Sequence, residues 1–241
     1  PVFIGGAWDS GVKTLQSMLD GHHRMEAGEE TKLIPIMCSL RNEWWSGMAV
    51  DLEAAGIGEP QLDAAVAAFI QALISGSAAG KDIRKVETTP HTLLHMDMMA
   101  NLFPRGRFIH VIRDGRDVVS SLMTRDWMDP ATGEKVWCCQ DPGSAANYWA
   151  HVVAEVRKQA ETLPDRYLEV RYEDMVSHPE AVARRVLAFL GEPWDPAVLA
   201  DVHVEAETAP ADLHGLEQIL DSSARPDGDT EQPLEIAWDS K

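Results

Sequence analysis

The sequence predicts an α/β domain with a central parallel sheet and helices on both faces. Three observations carry this prediction. Short apolar runs alternate with segments of helical periodicity along most of the chain. The opening run, PVFI, leads through a glycine-rich turn into a helical segment, and GRFIHVIRDGRDVVSSLM repeats that pattern. Finally, the stretches after Ile4, after Ile112 and after Val170 turn polar at the strand end. In a doubly wound sheet those carboxyl ends line the ligand crevice.

Each element follows from its local pattern. Residues 1–4 read as the first strand and 12–20 as the first helix. Residues 63–74, DAAVAAFIQALI, have helical periodicity with an Ala-rich face, and HMDMM at 95–99 reads as helix core. Residues 108–112 form an apolar strand interrupted only by His110, followed by a turn at Asp114 and Gly115 and a helix from Asp117 onward. Residues 145–163 read as a long amphipathic helix, and 167–171 as a further strand. HPEAVARRVLAFLG is a helix opened by Pro179 and closed by Gly191. Residues 205–232 are acidic, contain Pro210 and Pro226, and read as a loop-rich flap around one short helix at 213–220. A single domain over residues 1–241 is the economical reading.

Composition narrows the function. The hydrophobic fraction of 45% and charged fraction of 25% are those of a soluble globular protein. No apolar run is long enough for a membrane helix, and no basic segment followed by an apolar stretch opens the chain. The chain starts on a strand without Met, so residues upstream of it are expected. A net charge of −18 argues against nucleic-acid and anionic-membrane partners, and any phosphate ligand needs a local basic island. Cys38, Cys138 and Cys139 suggest no disulfide framework, so a reducing, cytoplasmic compartment fits; the Ala-, Asp- and Arg-rich composition points to a bacterial source. Cys138 and Cys139 lack metal-ligand spacing, and His22 and His23 read as surface residues at a helix end. Trp44 and Trp45 read as core or acceptor-groove packing.

Two constellations carry chemistry. GGAWDSGVKT approaches a phosphate-binding loop, but one residue separates Gly11 from Lys13 and Thr14 where the motif has none. A glycine turn entering a helix offers backbone N–H groups and a favourable dipole to an anion. Asp9 stands where an anion is least welcome. In the second, Arg113 leaves a buried strand, and Ser121 and Arg125 share one helix face at a four-residue spacing. Two guanidiniums and a hydroxyl make a phosphate cradle. The competing reading is an Arg–Asp structural network using Asp114 and Asp117.

The stretches PVFIGGAWDSG, LDGHHRMEAGEETKLIP, LFPRGRFIHVIRDGRDVVSSLMTR, LEVRYEDMVSHPEAVARRVLAFLGEPW and QPLEIAWDSK together resemble the PAPS-dependent sulfotransferases, most closely the tyrosylprotein sulfotransferases. The resemblance runs nearly end to end. It implies a P-loop-like sulfotransferase fold with PAPS, an adenosine 3′,5′-bisphosphate carrying a 5′ sulfuryl group, as co-substrate and no metal. It implies that Ser10, Gly11, Val12, Lys13 and Thr14 hold the 5′-phosphosulfate and that Arg113, Ser121 and Arg125 hold the 3′-phosphate. Tyr172 and Lys241 match further nucleotide contacts, and Glu30 matches the base that deprotonates the acceptor hydroxyl.

The departures are as informative. Asp9 replaces the arginine that faces the transferring sulfuryl group, and Thr88, in VETTPH, replaces a paired lysine. The late serine of the family has no match; Ser222 and Ser223 are out of register. Each lost donor costs about 10²- to 10³-fold in rate. Lys13, in place of a threonine, is the candidate for compensation, and Asp9 itself is a candidate base or holder of a cationic substrate. Lys85, three residues before Thr88, points to the opposite face of its strand. The expected activity is sulfuryl transfer from PAPS to a hydroxyl or amine. The alternatives are another donor on the same fold, a nucleoside triphosphate included, and a catalytically degenerate nucleotide- or partner-binding module. The acceptor, a small molecule or peptide, is expected not to be strongly acidic, because the −18 field repels acidic peptides. Lys32 keeps one basic position beside EET, while Ile36 loses another. The sequence leaves a homodimer open.

Overall fold

A computed structural model of the chain describes residues 1–28, 30–75, 83–129 and 132–200. The flap at 205–232 with its short helix, Ser222, Ser223 and Lys241 lie outside the described residues, as does the carboxyl end of the expected domain. Five parallel strands form one sheet: β1 (Val2–Gly5), β2 (Met25–Ala27), β3 (Arg84–Glu87), β4 (Arg107–Ile112) and β5 (Tyr167–Arg171), in the order β2-β3-β1-β4-β5. Residues pair in register Val2 with Arg107 through Gly5 with His110, and Phe108 with Tyr167 through Ile112 with Arg171.

Alternation along the buried strands sends side chains to two faces. Val2, Ile4, Ile109 and Val111 pack under α1 (Val12–Asp20) and α8 (Pro179–Leu190), with Met175 of α7 (Tyr172–Ser177). Phe3 and Phe108 stack on the other face at 5.4 Å. They enter a core with α2 (Leu33–Ala54), α3 (Glu59–Ser75), α4 (Met96–Leu102), α5 (Gly115–Met123) and α6 (Pro142–Ala160). Helices therefore cover both faces, and the parallel α/β architecture read from the sequence stands.

Helix ends differ from the sequence reading for chemical reasons. α5 begins at Gly115 rather than Asp117, because the Asp114 carboxylate accepts the Arg116 N–H and caps it. α6 begins at Pro142 because Asp141 accepts the Ser144 N–H and proline suits the first helical position. His22 is buried rather than on the surface. Its Nδ1 accepts the Arg24 N–H at 3.1 Å, so its Nε2 donates to the Pro193 carbonyl at 3.0 Å. Both ring nitrogens are spent on the backbone, which leaves none for a metal beside His23 and Asp195. Cys38, Cys138 and Cys139 are buried free thiols. Among the described residues, no helix is long and apolar enough to cross a membrane.

The strand order puts the crevice between β1 and β4. The chain leaves β1 towards β2 and β3, and leaves β4 towards β5. Their carboxyl ends diverge there, as at the switch point of a doubly wound sheet.

Candidate functional site

The loop from Gly6 to Gly11 leaves β1 at this crevice. A Cβ on Gly6 would lie 2.3 Å from the Val111 carbonyl oxygen, so only glycine lets the loop cross β4 this closely. Trp8 then turns inward and is buried among aromatic rings, with centroids 4.7 Å from His91, 5.2 Å from Tyr148 and 5.3 Å from Trp127. The Trp8 N–H donates to the Tyr148 hydroxyl at 2.8 Å, which lies 2.7 Å from His91 Nε2. Having accepted from Trp8, the hydroxyl gives its own proton to the imidazole. His91 is therefore a neutral acceptor, consistent with burial lowering its pKa to about 3.

With Trp8 anchored, Asp9 takes a left-handed backbone with φ 61°. Its carboxylate enters the Arg–Ser–Arg cluster. Oδ2 accepts from Ser121 Oγ at 2.8 Å and Arg125 Nε at 3.0 Å, and Oδ1 accepts from Arg125 Nη2 at 2.6 Å. Arg113 Nη1 donates to the Asp9 carbonyl at 3.1 Å. The sequence reading aims Asp9 at the 5′ side; the structure aims it at the residues matched to the 3′-phosphate. The expected Arg–Asp network exists, but through Asp9. Asp114 pairs with Arg116, and Asp117 reaches Arg113 only at 4.0 Å.

Other described residues matched to the nucleotide lie along the same loop, at the start of α1 and at the start of α7. The Arg113 guanidinium sits 4.8 Å from the Tyr172 ring centroid, and that ring covers Gly11. Ser10 is 1% exposed, and its hydroxyl has no hydrogen-bond partner among the described residues. Val12 and Thr14 are buried at the start of α1, and Val12 packs in the core with Ile4 and Val111. Lys13 lies part-buried in the first turn of that helix.

A second polar group lies across β3. Glu30, part-buried, stands between β2 and α2, where the Lys32 N–H donates to Thr89 Oγ1 at 3.2 Å. Thr88 Oγ1 donates to the Gly28 carbonyl at 3.4 Å. Lys85 is engaged by Glu26 of β2. No motif marks Glu87, yet it ends β3 inside the protein. Its carboxyl accepts from the Thr89 N–H at 3.0 Å and Thr92 Oγ1 at 2.9 Å. Burial, helped by the nearby Glu30 charge, raises its pKa to about 7. An acid closing a buried strand before two threonines is the signal that pattern reading can use for it.

The arrangement is half-suited to a 3′-phosphorylated nucleotide. The start of α1 and the unpartnered Ser10 hydroxyl suit an anion on the 5′ side. The Arg113–Ser121–Arg125 cluster does not suit a 3′-phosphate, because Asp9 fills it.

Comparison with known proteins agrees with the fold. The sequence profile described as "Sulfotransferase family" matches residues 1–196. The chain is 31% identical over 229 residues to protein-tyrosine sulfotransferase 1 of Danio rerio, covering 93% of this chain and 62% of that protein. It is 32% identical over 229 residues to protein-tyrosine sulfotransferase 2 of Gallus gallus, covering 93% and 60%. The chain thus spans about three-fifths of the length of these two relatives. Among solved structures, a sulfotransferase domain from the curacin biosynthetic pathway superposes with a TM-score of 0.59 at 19% identity, covering 89% of this chain and 81% of that one. Sulfotransferase STF9 from Mycobacterium avium gives a TM-score of 0.55 at 12% identity, covering 92% and 76%.

Proposed function

Since this chain belongs to the sulfotransferase family, we propose that it transfers a sulfuryl group from an adenosine phosphosulfate to an acceptor hydroxyl, with Glu30 as the base. The observation that carries the reading is the glycine loop that opens α1 at the β1–β4 crevice, where the start of the helix and the buried Ser10 hydroxyl suit an anion. The acceptor oxygen forms a bond to sulfur, the bridging S–O bond to the 5′-phosphate breaks, and the acceptor proton passes to Glu30. Backbone N–H groups at the start of α1, Ser10 and Lys13 receive the leaving phosphate. PAPS is the donor the resemblance implies; its 5′ half suits the site and its 3′-phosphate meets Asp9.

A tyrosine phenol of a peptide is the favoured acceptor, supported by the names of the relatives. The net charge of −18 favours neutral or basic peptides. The three buried free thiols suit a reducing compartment such as the cytoplasm. A second reading, a nucleotide-binding module without turnover, is favoured by Thr88 in place of a lysine and by Asp9.

Radiolabelled sulfate transfer from adenosine phosphosulfates to tyrosine peptides of graded charge tests the proposal. Glu30→Gln should lower kcat by about 100-fold or more while leaving nucleotide binding intact. Transfer unchanged by Glu30→Gln overturns the role of Glu30. Nucleotide binding with no transfer to any acceptor establishes the module reading instead.

A further inference from the structure

We infer that Asp9 makes this chain select a nucleotide with a free 3′-hydroxyl, so that its donor is a nucleoside 5′-phosphosulfate without a 3′-phosphate. The inference rests on the donor site proposed above.

The cationic cluster already holds an anion, and the chain itself supplies it. Both carboxylate oxygens of Asp9 are engaged by Arg125, at 2.6 and 3.0 Å, in the paired geometry that makes arginine–carboxylate bonds strong. Ser121 adds a contact to the carboxylate at 2.8 Å, and Arg113 holds the Asp9 carbonyl at 3.1 Å. A phosphate on these three side chains would have to touch the carboxylate or expel it. Contact sets two like charges side by side in a site where the Asp9 side chain is 3% exposed, and water screens little there.

Expulsion is opposed by the loop. Asp9 lies between Trp8, whose ring and N–H are locked against Tyr148, and Ser10, which is buried. Moving Asp9 out would strand Arg125 and Ser121 in a part-buried cluster without their anion. Trp8 and Asp9 thus act as one device: the first pins the loop and the second fills the cradle. A ribose with a 3′-hydroxyl brings no charge to this edge, and the 5′ side, built on Ser10, Gly11 and α1, is untouched. Selection works by repelling the wrong ligand more than by attracting the right one. The transfer step is that given above, and the product left on the protein is the nucleoside 5′-monophosphate.

Calorimetric titration of adenosine 5′-monophosphate and adenosine 3′,5′-bisphosphate into the full chain tests this. The wild type should bind the monophosphate at least as tightly as the bisphosphate. Asp9→Ala, which empties the cradle and leaves its cations, should prefer the bisphosphate by about 100-fold or more. Asp9→Asn, which keeps the shape of the side chain, should shift the preference the same way by about tenfold. A wild type that prefers the bisphosphate by tenfold overturns the inference and leaves the donor site standing; so does Asp9→Ala without any gain for the 3′-phosphate. A wild type that binds neither nucleotide removes the donor site itself, and the selection with it.

Discussion

Gly11 shows how closely single residues set this site. Its φ of 97° lies in the left-handed region, and an added Cβ would stand 2.3 Å from Cδ2 of Tyr172. Gly11→Ala therefore combines backbone strain with a clash against a ring that Arg113 also covers. The expected outcome is a loss of about 1–3 kcal/mol of stability and at least a tenfold loss of nucleotide affinity, read by denaturant titration and calorimetry. A glycine at a helix entry is legible in GGAWDSGVKT. The destination of the Asp9 carboxylate is not. Its partners Ser121 and Arg125 are 112 and 116 residues away, and no local pattern encodes which of two nearby anion sites a left-handed residue faces. Glu87 escaped for the opposite reason: its neighbours in sequence are ordinary, and only burial makes it unusual.

At the scale of elements, the periodic segments were legible and the supports between them were not. α1, β5 and α8 fall within a residue of the pattern reading, and a proline and a glycine bound α8. No sequence pattern marks α2. Its apolar residues lie on several sides, with Leu33, Trp44 and Met48 exposed and Ile34 and Cys38 buried, so no single stripe marks it. The pattern marks α6 as an amphipathic helix, but its structural task is specific. Through Tyr148 it ties the Trp8 N–H to His91 in the 3₁₀ turn Pro90–His95 after β3. Tyr148→Phe keeps the ring and removes this tie, which leaves a buried N–H and a buried imidazole nitrogen without it. The expected cost is about 2–4 kcal/mol by denaturant unfolding, far more than an exposed tyrosine would give. Because Trp8 positions Asp9, the same variant should also raise the relative affinity for a 3′-phosphorylated nucleotide. An unchanged unfolding midpoint would show that α6 does not brace the loop.

For the whole molecule, the interior titrations oppose one another, and the sign of each can be worked out. Burial lowers the pKa of His91 and His110 from 6.5 to about 3 each. Depressed values mean stability that is present above pH 6.5 and lost as pH falls towards 3. Glu87 runs the other way. Its pKa is raised from 4.5 to about 7, so its contribution is full below pH 4.5 and lost as pH rises through 7. The net charge of −18 adds a third dependence, since acidification relieves self-repulsion, and the wild-type curve alone mixes all three. Comparison with Glu87→Gln separates them. The glutamine keeps an acceptor for the Thr89 N–H and a partner for Thr92, while removing the ionisation. The histidines and the surface charge are common to both proteins and cancel in the difference. Between pH 5 and pH 8 the variant should gain on the wild type by up to roughly 3 kcal/mol, the gain growing towards pH 8 as the wild type is forced to ionise a buried acid. Urea midpoints of the two proteins across that range give the answer. A difference that does not change with pH would mean that Glu87 titrates at its ordinary value, and that the end of β3 is open to water rather than sealed by Thr89 and Thr92.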